Sequence, residues 1–278
     1  MLSRHALRLA ALLSVLATPA SADCARSDLL AAAQAYIAAQ AHGTIAALPL
    51  SATGFSYRQN NRRADIASGS SILTRALPID LNRTTTDPVA CASYTLLISA
   101  SGPSPYVIST QLRHSPSPPS SPSSSSAELP ISSIDSIVAT TGALFFNATR
   151  TLSYIRAENW GPLPDSGGGV PQANRSELLR IADAYLDMWT DAAAADAIPW
   201  GADCERVEGS ALTRPCGAAL PRGGAAVRNG DRRYVVDEDL GSAQVLCSFD
   251  ALGSLPDSHE IRVEDGKVKY VHTVTVLN

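Results

Sequence analysis

The chain repeats its own opening. SDLLAAAQAYIAAQ at 27–40 returns as SELLRIADAYLDMW at 176–189. Setting Ser27 on Ser176 brings Leu29 onto Leu178, Leu30 onto Leu179, Ala33 onto Ala182, Ala35 onto Ala184 and Tyr36 onto Tyr185. Asp28/Glu177 and Ile37/Leu186 are conservative exchanges. In both copies a serine precedes an acid, and apolar residues come next at i, i+1, i+4, i+7 and i+8. That is the stripe of an amphipathic helix, capped by the serine, with a carboxylate near its positive end. A chain of 278 residues, 45% of them hydrophobic, has the length for two ordinary domains and the apolar content for a core in each. Each half is therefore expected to open with a helix.

The stretches beyond the two helices correspond more loosely. After the first come a strand-like FSYRQNN, a short helical IASGSSIL, and the strand candidates ALPIDLN, VACASYTLLIS, YVISTQL and ISSIDSIVATT. After the second come a loop-rich DCERVEGSALTRPCGAALPRG and then RRYVVDEDL, SAQVLCSFDAL and SHEIRVEDGKVKYVHTVTVL. In this register Cys91 falls on Cys247 and Asp135 on His272. A helix leading into a meander of strands predicts an α+β domain in which the helix covers one face of a curved antiparallel sheet. The expected organisation is a first domain over 23–157, a linker over 158–175 rich in Gly, Pro and Asp, and a second domain over 176–278. The Ser/Pro stretch at 114–128 falls between two strand candidates. It reads as an expanded, disordered hairpin loop rather than a domain boundary.

Residues 1–22 read as a secretory signal peptide: a basic start at Arg4 and Arg8, an apolar core from Leu9 to Ala17, and an Ala20-Ser21-Ala22 cleavage site. That core is shorter than a membrane span, so no membrane association is expected after its removal. The formal charge is −4, and the first 22 residues contain arginines but no acid, so the remainder is more acidic still and a poor match for nucleic acid. In an oxidising route most of the five cysteines should pair. Cys24, just ahead of the first helix, is placed to tie it to the strand with Cys91. Cys204 and Cys216 would close a local loop, leaving Cys247 as a buried free thiol. Sequons at Asn82, Asn147 and Asn174 fit a secreted or lumenal glycoprotein.

The C-terminal hairpin carries the most local chemistry. In HEIRVEDGKVKYVH, Asp265-Gly266 is a two-residue turn signal between alternating strands. A regular ladder from that turn sets Val263 opposite Val268, Ile261 opposite Tyr270 and His259 opposite His272, all on one inward face. An inward ionisable group is costly unless paired or open to a ligand, so His259, His272 and Asp135 are the candidate acid/base groups. The ordinary role of such a residue is structural, hydrogen-bonded to backbone or to a neighbouring acid within the core. Tyr57, Trp160 and Trp200 are the candidate pocket walls, with core packing as their ordinary role. GxSxG, P-loop and HExxH motifs are lacking, and Gly167-Gly168-Gly169 lies in the linker rather than between a strand and a helix. No CxxC or HxxxH spacing suggests a metal, and no cofactor is expected.

The tandem pattern resembles the cone-shaped fold shared by nuclear transport factor 2-like, SnoaL-like and ketosteroid-isomerase-like proteins. ADCARSDLLAAAQAYIAAQ, TTGALFFNATRTL, ENWGPLP, ADAYLDMW, IPWGADCERVEG, RRYVVDEDLG and LPDSHEIRVEDGKVKYVHTVTV are similar to a family of secreted fungal proteins with an uncharacterised domain. That family includes the hetero-Diels-Alderases of tropolonic sesquiterpene biosynthesis. The Ser/Pro insert departs from the short turn expected there. The resemblance implies two tandem cones, acting as a monomer or homodimer on polyketide or terpenoid substrates. It further implies a cofactor-independent cycloaddition between a tropolone-derived quinone methide and a humulene-type olefin. A secreted binding protein for a small apolar ligand, or an isomerase or dehydratase, would use the same kind of pocket. The second helix is the heavier, with Ile181, Met188 and Trp189 where the first has Ala32, Ala39 and Gln40, which directs the search for a ligand to the second copy or the seam.

Overall fold

The computed structural model describes residues 24–115, 129–164 and 172–277. The expected signal peptide, nearly all of the Ser/Pro insert and the glycine run lie outside them. The first half runs α1 (Arg26–His42), β1 (Ser56–Gln59), β2 (Arg62–Arg63), β3 (Leu81–Asp87), β4 (Ala92–Ser99), β5 (Tyr106–His114) and β6 (Ile131–Ala139), closing with α2 (Ala148–Ile155). The second runs α3 (Arg175–Asp187), β7 (Trp200–Glu208), β8 (Ala211–Thr213), β9 (Gly230–Asp237), β10 (Ser242–Phe249), β11 (Leu255–Glu264) and β12 (Lys267–Thr275). Two tandem α+β domains result, each a helix leading into a six-stranded sheet. The strand orders are β2-β1-β6-β5-β4-β3 and β8-β7-β12-β11-β10-β9.

Several expectations need correction. The sheets are mixed, because β1 runs parallel to β6 and β7 parallel to β12. The hairpin after each helix, β1–β2 or β7–β8, lies at the far side of the meander, with β1 beside β6 and β7 beside β12 rather than beside β3 and β9. The stretch read as loop-rich holds β7 and β8. The repeated serines lie inside the helices: α1 starts after Ala25, with no side-chain cap, and α3 after Asn174, whose Oδ1 accepts from Glu177 N. The Ser/Pro insert does join two neighbouring strands, since β5 and β6 are antiparallel partners.

The Asp265-Gly266 turn forms with both residues at positive φ, 50° and 68°, as a tight hairpin of this sequence requires. Val263 faces Val268 as expected, but the ladder then slips: Arg262 faces Tyr270, Glu260 faces His272 and His259 faces Thr273. A β-bulge at Lys269 causes the slip, and one extra residue reverses the side chains beyond it. His259 and His272 therefore stand on opposite faces of the sheet.

Each helix covers one face of its sheet: Tyr36 and Ile37 pack with Leu97, Ile108 and Ile134, and Leu178, Ile181 and Tyr185 pack with Ile261, Val268 and Val271. The other two faces pack on each other, with Tyr94, Leu96 and Ile137 meeting Val235, Leu246 and Val274. The layers are helix, sheet, sheet, helix. The turns 88–91 and 238–241 correspond, so Asp87 matches Asp237 and Cys91 matches Gly241 rather than Cys247. Strand pairing also equates Gln111 with Glu260 and Asp135 with His272, as the sequence register suggested.

The seam is reciprocal. Arg175 at the start of α3 grips Asp87 of the other half through two bonds of 2.7 and 2.9 Å, and Arg26 at the start of α1 donates to Asp237 at 2.8 Å. Asp87 also accepts from Val236 N, and Asp237 from Thr86 N. Position i of one half meets j of the other, and j meets i, as in a two-fold dimer joined into one chain. Cys24–Cys91 and Cys204–Cys216 are bridged, and Cys247 is buried and free, as the sequence suggested. No helix among the described residues is long and apolar enough to cross a membrane.

Candidate functional site

Between α3 and the second sheet lies a chamber of about 300 Å³. Tyr185 of α3, with Met188 and Trp189 in the turn that ends it, builds one wall, and Phe249 of β10 faces them. Trp189 meets Phe249 edge-on with ring centroids 4.9 Å apart. The first domain supplies part of the lip. Its segment after β6 brings in Leu144 and Phe145, anchored by Leu144 N to Thr275 O and by Ser210 N to Phe145 O. That close approach depends on Gly209, at φ +59°, where a Cβ would stand 2.4 Å from Leu144 O. Phe145 and Leu252 at the mouth are 58% and 43% exposed, unusual for such side chains and consistent with an entrance.

His259 stands in the chamber wall, almost wholly buried. Alternation along β11 puts it on the helix face with Ile261 and Val263, with its ring 5.3 Å from Tyr185 and 6.1 Å from Phe249, while the bulge in β12 turns His272 away. Its Nε2 lies 2.6 Å from Asp257 Oδ2. Asp257 Oδ1 is held by Ser258 N and Thr275 Oγ1, at 3.0 and 2.8 Å, which fixes the carboxylate against the imidazole. Among the described residues neither His259 Nδ1 nor Nε2 makes a hydrogen bond of good geometry, so Asp257 is close to the imidazole as a charge while both ring nitrogens stay open. A buried ring nitrogen without one costs about 1–3 kcal/mol, a cost that a substrate hydroxyl could offset. The nearby Asp257 carboxylate favours a proton on Nε2, and in that tautomer Nδ1 presents the lone pair of a general base to the chamber.

Cys247, Asp257 and His259 present a thiol, a carboxylate and an imidazole within 4.8 Å of one another. Burial pushes the Cys247 thiol well above its ordinary pKa, which favours the protonated form and makes it a poor metal ligand. Asp257, Arg206 and Glu208 were not singled out in the sequence. Asp257 had a signal, standing at i−2 from His259 and so on the same strand face. Arg206, tied to the carbonyls of Cys216 and Ala218 and 3.2 Å from Glu208, had none.

The other sequence candidates stand apart from this chamber. His272 is on the seam, its Nε2 2.8 Å from Glu158 and its Nδ1 3.2 Å from Glu260, with Arg83 donating to Glu260 at 2.6 Å. Burial opposes charge on His272, but Glu158 and Glu260 outweigh it and raise the imidazole pKa; burial likewise opposes the Glu260 carboxylate, which Arg83 and His272 lower. Trp160 covers this cluster, 3.6 Å over the Arg83 guanidinium and 5.8 Å from the His272 ring. Asp135 sits at the matching place in the first half, 2.7 Å from Arg233, with burial raising its pKa against the pull of Arg233 and Arg58. Tyr57 lies in the first core with its hydroxyl on Gln59. Trp200 packs edge-on against Tyr185 and donates to Ala195 O. The three sequon asparagines are exposed; Asn147 and Asn174 cap helices through Oδ1, which leaves Nδ2 for a glycan.

Residues 171–275 match the model of a domain of unknown function, DUF8021. The matched stretch is the second half, from the approach to α3 to the end of β12, and holds every chamber residue except Leu144 and Phe145. No curated protein and no solved structure matches the chain.

Proposed function

We propose that the second-domain chamber takes up a small, largely apolar organic molecule and that His259, held by Asp257, moves a proton on it. The observation that carries this reading is a buried histidine–aspartate pair in the wall of an apolar cavity with an aromatic lip. The cavity volume is at the lower end of the range for small-molecule sites, enough for one compact substrate. Dehydration or isomerisation of a polyketide or terpenoid is the reaction class this arrangement serves. His259 Nδ1 removes a proton and returns it to a leaving hydroxyl, and neither step calls for a cofactor.

The family resemblance makes the reading more specific. A hydroxymethyl tropolone loses water through such an acid/base step to give a quinone methide, and a humulene-type olefin adds to it in a hetero-Diels-Alder reaction. The cone shape expected from that resemblance would enclose the first reactant. The exposed apolar lip at Phe145 and Leu252 supports the approach of the second. Holding both in one orientation is worth about 7–11 kcal/mol at best. The two disulfides and the exposed sequons support a secretory route for the enzyme.

The test incubates purified protein with the hydroxymethyl tropolone and humulenol, and compares yield and stereochemistry with the protein-free reaction. Faster loss of water and one dominant stereoisomer are expected. Product profiles indistinguishable from the uncatalysed mixture would end the cycloaddition reading. If the tropolone nevertheless binds saturably without reacting, the chamber belongs to a binding protein.

A further inference from the structure

The reciprocal seam gives each polar feature of one half a counterpart in the other, and the counterparts differ in what fills them. Arg83 of β3 corresponds to Arg233 of β9, Gln111 to Glu260, and Asp135 to His272. On the Arg83 side the chain supplies its own occupant. Glu158 places a carboxylate against His272 Nε2 at 2.8 Å and Arg83 at 3.4 Å, and Trp160 lays its ring on the Arg83 guanidinium while its indole N–H donates to Glu158.

On the Arg233 side a cavity of about 450 Å³ opens instead, lined by Arg58, Arg63, Arg113, Arg233, Gln111 and Asp135, among others. Four guanidinium groups face one wall carboxylate. Asp231 answers Arg58 and Arg233 from the edge, but Arg63 and Arg113 have no carboxylate within ion-pair distance among the described residues. Arg113 is held by Gln111 Oε1 and Tyr234 O, and burial beside Arg233 disfavours its charge. A guanidinium kept in place and short of an anion is a binding site for one. Asp135 Oδ1 is buried without a hydrogen-bond partner, which adds a place for a donor.

Arg233 is already engaged by Asp135, Asp231 and Asn61 Oδ1, so we propose that this cavity binds an aromatic carboxylic acid with its carboxylate on Arg113 and Arg63 and its ring lodged in the pocket, much as Glu158 and Trp160 together occupy the counterpart site. The volume accommodates a one- or two-ring acid. A ring hydroxyl or N–H supplies the donor for Asp135. The site is separate from the His259 chamber, and its occupancy is independent of whether His259 is catalytic.

Isothermal titration of the full chain with 4-hydroxybenzoate and with indole-3-acetate tests this, with phenol and inorganic phosphate as controls lacking the charge or the ring. Saturable one-to-one binding of the acids is expected, with phenol and phosphate at least about tenfold weaker, since a charge-assisted pair contributes about 1.5–3 kcal/mol. Arg113→Gln should weaken the acids about tenfold by the same reasoning. Exposed Arg63→Gln, which leaves the seam untouched, should weaken them about threefold. Replacing Glu158 and Trp160 together by alanine should vacate the counterpart and raise the stoichiometry from one to two. Absence of saturable binding overturns the proposal, and so does phosphate binding as tightly as the acids or Arg63→Gln and Arg113→Gln leaving affinity unchanged.

Discussion

The two halves share a topology and a seam, and they differ in what lies under the helix. In the second half, Asp257, His259 and Cys247 occupy the positions that Ile108, Thr110 and Leu97 hold in the first. Tyr36, the counterpart of Tyr185, closes the first chamber by bonding to Thr110 Oγ1 at 2.7 Å, and Thr110 passes the chain on to Ser136 at 2.8 Å. Gln40, where α3 has Trp189, turns inward to the carbonyls of Ile72 and Arg75. Under the helix of the first copy the tyrosine hydroxyl and the Gln40 amide N–H groups are taken up by the protein, although Gln40 Oε1 has no partner; under that of the second an imidazole faces a cavity with its nitrogens unpaired. Under the proposed function, the duplicated fold divides labour, with one half as scaffold and the other as reaction site.

The sharpest way to break this comparison is to substitute the two matching positions. His259→Gln is expected to lower turnover by about 10²–10⁴ through loss of the general base. Thr110→Val should leave turnover intact and only lower the melting temperature. Equal losses of activity in the two variants would end the division of labour. The disulfides rank next. Cys24–Cys91 spans 67 residues and Cys204–Cys216 only 12, so chain entropy predicts losses of about 4 and about 3 kcal/mol when each pair is replaced by serine, measured by urea unfolding. The seam pairs rank third. Arg175→Ala removes two bonds from a fully buried Asp87, whereas Arg26→Ala removes one from an equally buried Asp237 together with a contact to exposed Asp239. Losses of about 2 and about 1 kcal/mol are expected by unfolding titration, given that both arginines are partly solvated. The reverse order would mean that the seam is not organised as described.

The duplication, the α+β class and the disulfide pairs were legible because they rest on periodicity and on local placement of cysteines. The mixed sheet was not, since nothing in SYRQ or WGADCERVE distinguishes a parallel partner from an antiparallel one. The hairpin shows the limit most clearly. Asp265-Gly266 specified the turn, but the bulge at Lys269 arises from packing, with Val268 and Val271 both drawn to the helix side and Tyr270 to Trp160. A regular alternation carries no mark of that insertion, and it decided which histidine meets the chamber. The heavier face of α3 was a readable pointer, and Met188 and Trp189 do line the cavity. The linker's role was hidden because Glu158 and Trp160 acquire meaning only beside Arg83, far away in sequence.

The smallest expected effect separates the two seam clusters by their response to pH. The His272 pKa is raised in the folded state, so its contribution is full below the unfolded histidine value and is lost as pH rises through the folded one. Glu260 is lowered, so its contribution is full above the unfolded glutamate value and is lost as pH falls through the folded one. Together they define a plateau bounded by acid on one side and alkali on the other. Asp135 has the opposite sign from Glu260: burial raises it, so the fold gains relative stability as Asp135 takes up a proton. Melting temperature measured from about pH 2 to about pH 9 covers both limbs. Glu260→Gln should flatten the acid limb and His272→Gln the alkaline limb, whatever each does to the absolute melting point. Asp135→Asn should leave the alkaline limb untouched and steepen the acid limb. An alkaline limb that survives in His272→Gln would place the responsible proton elsewhere and dissolve the contrast between a seam cluster closed by its own linker and one left open to a ligand.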